Sequence, residues 1–171
     1  MSVVGQSMPK PGLRPYLPAD APLCAAIFEA SIEELTTDDY TEAQRDAWIA
    51  GLDEDTLAAR LAKQLTLIGT LGETPVGFAS LKDGKHIDFL YVHPSAVGHG
   101  VASALMEALE KLAAARGATK LTAEVSDTAQ HFFARRGYVA QTRNTVPRGN
   151  EWLANTTMQK VLGETPKGTV Q

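Results

Sequence analysis

Apolar residues recur along this chain with two periods, and the switches between them lay out its elements. Residues 13–17 read as a short strand, and Pro18, Ala19 and Asp20 follow, with Asp20 placed as the N-cap of a helix running to residue 35. Thr41 is placed in the same way before a helix through Trp48, with Glu42 in its first turn. A third helix over residues 53–64 sets Leu57, Ala58, Leu61 and Leu65 on one face. The period then changes to that of strands: residues 65–71 and 75–82 form a hairpin about Gly72, Glu73 and Thr74, and the Asp83-Gly84 turn leads to a third antiparallel strand over 86–92. Helical spacing returns at Val101, Leu105, Ala108, Leu109 and Leu112, predicting a helix over 98–116 with Gly117 as its C-terminal stop. A strand over 120–125, a short helix over 128–136 ended by Gly137, and a closing hairpin of 138–146 and 151–161 turned at residues 147–150 complete the pattern. This order predicts an α/β (α+β) fold in which helices flank a mixed, mostly antiparallel sheet.

Composition narrows the function. With 171 residues the chain fits one domain, expected over residues 13–162 between flexible tails at 1–12 and 163–171 that are rich in Gly, Pro, Ser and Thr. The net charge of −4 and the lack of a dense Lys/Arg run argue against nucleic-acid and membrane-surface partners and point to a small-molecule or peptide ligand. Residues 1–11 lack a long apolar core and no run approaches a membrane span, so the expected location is the cytoplasm, as a monomer or homodimer. Cys24 is the only cysteine, which excludes an intrachain disulfide, and its apolar neighbours predict a small buried hydrophobe. The four histidines and this cysteine show no ligand spacing, so no metal is expected.

The most informative stretch runs from Asp88 to Ala102: a strand, a stop at Pro94, a turn bearing Gly98 and Gly100, and the start of the stripe-bearing helix. The start of a helix carries four backbone N–H groups without internal partners and about half a positive charge, so it binds phosphate without needing Lys or Arg.

Three motifs, Leu90-Tyr-Val-His-Pro94, Gly98-His-Gly-Val-Ala102 and the run from Ala129 through Phe132, Phe133 and Gly137 to Tyr138, resemble the GNAT superfamily of N-acetyltransferases over most of the chain. His86-Ile-Asp88, Thr122-Ala-Glu-Val-Ser126 and the Phe132-Phe133 pair are similar to a bacterial YafP-like subgroup. Gly100 and Ala102 match the last two positions of the family's phosphate-binding pattern, whereas Val97 stands where Gln or Arg is usual. The resemblance implies a sheet splayed between its two middle strands, acetyl-coenzyme A as donor and no metal. It also implies a pantetheine arm paired with the backbone of Leu90, Tyr91 and Val92, and a pyrophosphate on Val97, Gly98, His99, Gly100, Val101, Ala102 and Ser103. Ser126 replaces a common Asn that bonds the pantetheine amide, Phe132 and Phe133 pack on the arm or the sheet, and Arg135 and Arg136 are candidates for the adenosine phosphates. Phe133 falls where many members carry a tyrosine acid, which leaves a water, Tyr91 or Tyr138 to protonate the thiolate.

Acetyl transfer needs an uncharged nucleophile and stabilisation of the developing negative charge on oxygen. Deprotonating a lysine-like amine of pKa near 10.4 at neutral pH costs about 4 to 5 kcal/mol, so a base is valuable. His86, Asp88 and Glu124 are the candidates, with His86 first because imidazole titrates near neutrality. Strict alternation along the strand puts His86, Asp88 and Leu90 on one face. A backbone N–H near Val92 is the expected oxyanion donor. Phe28, Ile32, Leu35, Tyr40 and Trp48 are candidate walls of a pocket for a primary amine, with core packing as the alternative for each. A non-catalytic acyl-coenzyme A-binding module of the same fold is the competing assignment, motivated by Val97 and Phe133.

Overall fold

The computed structural model describes residues 9–163. The predicted tails therefore lie outside the described residues at 1–8 and 164–171. Pro11 and Gly12, assigned to the first tail, instead open strand β1 (Pro11–Pro15) and pair with Leu71 and Thr70.

The elements that follow are helices α1 (Ala21–Leu35), α2 (Glu42–Ala50) and α3 (Glu54–Lys63), strands β2 (Leu65–Leu71), β3 (Thr74–Lys82) and β4 (His86–Val92), and helix α4 (Val101–Ala115). Strand β5 (Lys120–Ser126), helix α5 (Gln130–Arg135) and strands β6 (Val139–Arg148) and β7 (Glu151–Val161) close the chain. The seven strands form one sheet in the order β1-β2-β3-β4-β5-β7-β6, and only the β4–β5 pairing is parallel. Helices α4 and α5 begin inside their predicted limits: α4 starts at Val101 rather than Gly98, and α5 at Gln130 rather than Thr128. Leu65, counted on the apolar face of the third helix, opens β2.

Two apolar layers sandwich the sheet. On one side α4 supplies Leu105, Met106 and Leu109 to a cluster with Ala79, Leu81, Ile87 and Leu121. On the other, Cys24, Ile27 and Ile32 of α1 and Leu57 and Leu61 of α3 pack on Ile68, Phe78 and Phe89. Phe78 and Ala79, neighbours on β3, point into opposite layers, as a strand buried on both faces requires. Each fully buried Leu or Ile contributes about 1.5 to 3 kcal/mol. The first turn of α4 sits unusually close to the sheet, because a Cβ on Gly69 would meet Val101 Cγ1 at 2.8 Å.

Side-chain capping explains the starts of α2 and α3 but not that of α1. Thr41 caps α2 as expected: Gln44 N–H donates to its Oγ1 and the Gln44 side chain returns to the Thr41 N–H, at 3.1 and 2.9 Å. Asp20 does not cap α1. A 3-10 turn, Pro18–Asp20, precedes the helix, and the carboxylate accepts instead from the Leu17 N–H and from both Arg14 terminal nitrogens, near 2.9 Å. The Arg14 hydrogen bonds hold the Asp20 carboxyl below its ordinary range despite its burial.

Candidate active site

Two irregularities in the central strands create the site. The first is a bulge in β4. Ser80 pairs with Phe89 and Leu81 with Ile87, so Asp88 is an extra residue with no partner on β3. A bulge breaks alternation, and Ile87 and Leu90, three residues apart, both pack on the α4 side. Asp88 faces the opposite layer, where Arg60 Nη2 reaches both its oxygens at 2.8 Å and Gln64 Nε2 donates at 2.6 Å. The expectation that His86, Asp88 and Leu90 share a face is therefore corrected: Leu90 lies on the side away from Asp88.

The second irregularity is the parting of β4 from β5. They pair only at His86 with Thr122 and Ile87 with Ala123, while Glu124, Val125 and Ser126 stay paired with β7. Beyond Ile87 the edge of β4 faces a gap. The His93 N–H donates to the Val76 carbonyl at 2.8 Å, and antiparallel alternation then turns the N–H and C=O of Val92 and Leu90 away from β3 and into that gap. A cleft of about 920 Å³ passes through the opening, with Val97, Ala102 and Phe132 toward one mouth and Phe28, Trp48 and Arg148 toward the other.

At the first mouth stands the glycine turn. Gly98 and Gly100 have φ of +89° and +84°, the left-handed conformation that only glycine adopts at little cost. This geometry turns the chain so that the amides of Gly98, Gly100, Val101, Ala102 and Ser103 have no hydrogen-bond acceptor among the described residues, while the Gly100 carbonyl accepts from Ala104. The His99 N–H and ring Nδ1 are instead engaged with the Ala96 carbonyl, at 3.3 and 3.2 Å. Unpaired amides around a helix tip form an anion-binding nest. Val97 is half exposed at its rim and adds no charge.

The three candidate bases all line the cleft but differ in what they touch. His86 Nδ1 lies 2.7 Å from Thr122 Oγ1, and Nε2 has no partner among the described residues. Glu124 accepts from the Thr157 hydroxyl at 2.6 Å and is otherwise exposed. Asp88 is occupied by Arg60 and Gln64, which makes it a fastener of α3 to the bulge. Ser126 accepts from the Ala129 N–H at 3.1 Å, leaving its hydroxyl proton free. Phe133 is buried, edge-on to Phe132 at 5.7 Å and to Tyr138 at 5.0 Å. Arg135 is exposed at the end of α5 and does not line the cleft.

Neither tyrosine suggested as a proton source suits that task. Burial pushes both phenols well above their ordinary value; for Tyr91 the Trp48 indole and the Arg60 and Arg148 charges oppose the rise, and for Tyr138 the neighbouring Glu110 charge adds to it. Tyr138 donates to Glu110 at 2.9 Å, and the same carboxylate accepts from Arg136 at 3.1 Å and Lys160 at 3.0 Å. Arg136, a candidate for the adenosine phosphates, is thus part of a half-buried ion network on the α4 side.

Sequence patterns did not point to Arg60 and Gln64, although their i,i+4 spacing on α3 is a usable signal once a partner carboxylate is known. Tyr40 was proposed only as a wall. Its hydroxyl donates to the Ala154 carbonyl at 2.6 Å and accepts from the Asp127 N–H at 2.9 Å, fastening the segment before α2 to β7 and to the turn after β5.

Comparisons with known proteins agree with this geometry. The acetyltransferase (GNAT) domain family model matches residues 36–162. The chain is 33% identical over 143 residues to the uncharacterized N-acetyltransferase YafP of Escherichia coli strain K12, covering 84% of this chain and 91% of that protein. It is 62% identical to a GCN5-related N-acetyltransferase (aminotransferase, class-II) of Rhodopseudomonas palustris, whose crystal structure superposes with a TM-score of 0.87 over 92% of this chain and 99% of that one. The PaiA N-acetyltransferase of Thermoplasma acidophilum, solved with coenzyme A, shares the fold at 16% identity, with a TM-score of 0.73 over 89% of this chain and 99% of that one. A sheet that parts beside an amide nest, a matching family model and close relatives of the same kind lead to one statement: the chain belongs to the GNAT acetyltransferase family and is an acyltransferase.

Proposed function

We propose that the chain transfers the acetyl group of acetyl-coenzyme A to a primary amine of a small molecule or peptide by direct attack in a ternary complex. The observation that carries this assignment is the end of β4–β5 pairing after Ile87, directly upstream of the amide nest. An extended arm laid in the gap pairs with the main chain of Leu90 and Val92 as an added strand does, and its pyrophosphate meets the free amides of Gly98, Gly100, Val101, Ala102 and Ser103. A fold relative solved with coenzyme A supports coenzyme A as the donor.

The acceptor approaches from the α1–α2 side. His86 is the leading base: with Nδ1–H donated to Thr122 Oγ1, Nε2 keeps its lone pair for a proton from the amine, directly or through a water. Glu124, facing the same cleft, favours a cationic amine and is the second candidate. A main-chain N–H of β4 turned into the gap, that of Leu90 or Val92, is the donor for the developing charge on the carbonyl oxygen. No side chain need protonate the leaving thiolate, because a thiol of pKa about 8.5 departs readily as the anion, and protonation gains only on the order of 2 kcal/mol near neutrality. Phe133 at the usual tyrosine position is compatible with that.

His86→Ala is expected to lower kcat by about 100-fold, within the range of general-base contributions, while the affinity for acetyl-coenzyme A, read by calorimetry, stays the same. Unchanged turnover would remove His86 from the reaction. The assignment as a whole is tested by thiol release from acetyl-coenzyme A against an amine library. Intersecting double-reciprocal lines are expected. Parallel lines, or an acetylated protein trapped without acceptor, would contradict direct transfer. Tight donor binding with no thiol release across the library would favour the non-catalytic module.

A further inference from the structure

The α1–α2 mouth of the cleft holds a cation that its neighbours on the protein do not neutralise. Arg148, the exposed last residue of β6, lines this mouth, and its Nη1 donates only to the Pro147 carbonyl at 2.9 Å. Glu151 stands opposite it in the β6–β7 ladder, yet Arg148 takes part in no ion pair among the described residues. Its stem crosses the mouth toward the C-terminus of α2, where Cδ lies 3.6 Å from the position of a Gly51 Cβ. Tyr91 lines the same chamber.

The other charged or titratable groups lining the cleft are Arg60, Lys82, His86, Asp88 and Glu124, with the phenols of Tyr40 and Tyr91. Arg60 is spent on Asp88 and on the Phe89 ring, 4.5 Å from its centroid. Glu124 and His86 stand near β5, at the other end of the chamber, with Lys82 in register with His86; Lys82 takes part in no ion pair among the described residues, so Arg148 is the unpaired cation of the α1–α2 mouth alone. The two ends are well separated: Glu124 is in register with Thr157 and Arg148 with Glu151, six residues apart on β7, or roughly 20 Å along the strand. Even with both side chains reaching inward, that span exceeds the distance from amine to carboxylate in an α-amino acid. Phe28, Ile32, Leu35, Leu52 and Tyr91 line the chamber, and none of their side chains carries a charge.

We infer that the acceptor is an amine joined through an apolar spacer to a carboxylate, and that Arg148 is the group that binds the carboxylate. This rests on the acetyltransferase assignment above and names its acceptor class. Guanidinium and carboxylate match in a two-pronged geometry, and an arginine without a protein partner is free to make it. The amine then lies toward His86 and Glu124 while the spacer covers the uncharged wall.

The test compares 6-aminohexanoate with its primary amide, hexylamine and glycine as acceptors, with acetyl-coenzyme A binding measured on the same samples. For the native protein, kcat/KM is expected to be highest for 6-aminohexanoate, above both the amide and glycine. In Arg148→Ala the KM for 6-aminohexanoate is expected to rise about 10- to 100-fold, as for loss of a charge-assisted pair, with kcat far less affected. The preference over hexylamine collapses with it, and Arg148→Lys restores part of it. Equal use of the acid and its amide by the native protein overturns the inference, as does turnover of hexylamine with none of 6-aminohexanoate. A KM in Arg148→Ala that rises equally for acid and hexylamine also overturns it, since that marks a structural role. Donor binding without carboxylate preference removes this inference alone, whereas failure of donor binding removes the acetyltransferase assignment with it.

Discussion

Gly100→Glu is expected to weaken acetyl-coenzyme A binding by at least about 100-fold, the equivalent of some 2.7 kcal/mol. Two effects add. Gly100 sits at φ +84°, where an L side chain costs about 1 to 2 kcal/mol, and relaxation of that strain would turn the amides of Val101 and Ala102 away from their common focus. The new carboxylate also lies at the tip of α4, where it competes with the incoming pyrophosphate for the same N–H groups. Crowding is not the cause, because a Cβ at this position would meet Pro11 Cγ at an ordinary 3.5 Å. Gly100→Asn separates the two effects, since asparagine tolerates the left-handed region and carries no charge. It should retain most of the affinity. Calorimetric titration with acetyl-coenzyme A, with a thermal melt to show that the variant is folded, decides the matter; native affinity in Gly100→Glu would mean that the phosphates are bound elsewhere.

Glu110→Ala is expected to cost about 3 kcal/mol of folding stability, among the largest losses from one polar side chain in this molecule. Its carboxylate, only 12% exposed, accepts from Arg136, Lys160 and Tyr138 and so joins α4 to the end of α5 and to β7. Truncation leaves two cations and a buried phenol without their acceptor. Removing one member of such a network costs far more than the network adds over an apolar equivalent, because the remaining members stay desolvated. Denaturant titration measures the loss, and a change below about 0.5 kcal/mol, the usual effect of a surface substitution, would show that water replaces the carboxylate freely. The sign of the pH dependence follows from the same contacts. Burial pushes the Glu110 carboxyl up, but the hydrogen bonds from Lys160, Arg136 and Tyr138 outweigh it and leave the folded-state pKa below its ordinary 4.5. Its share of stability is therefore present above about pH 4.5 and is lost as the pH falls through the lower folded-state value. In Glu110→Gln that portion of the acid dependence should disappear.

The periodic elements were legible in the sequence because burial on a helix or strand face writes itself into spacing. Leu57 and Leu61 on α3, and Leu105 and Leu109 on α4, are all buried as their period requires. The glycine turn was legible because backbone conformation restricts residue type. The catalytic face was not. Asp88 looks inward on a regular strand, yet one unpaired residue turns it toward Arg60, and nothing between His86 and Val92 announces the bulge. Asp20 misled for a related reason: its cap-forming chemistry is real, but Arg14 and the Leu17 N–H, brought close by the fold, compete successfully for it. The Glu110 network escaped notice because its members come from three separate stretches of chain, Glu110, Arg136 with Tyr138, and Lys160. Arg148 was placed in a turn, and only its path across Gly51 ties it to the chamber.

The division of labour across the gap has a consequence for engineering. On the proposed placement of the donor, its half of the cleft is lined by peptide groups of β4 and the α4 tip, which substitutions of surrounding side chains leave in place. The opposite wall is assembled from side chains of α1, α2 and the β6–β7 hairpin, joined to the rest by fasteners such as Tyr40. Exchanging that wall for a foreign one, with Tyr40 and its two backbone partners preserved, would retarget the catalyst to new acceptors at little risk to its fuel supply.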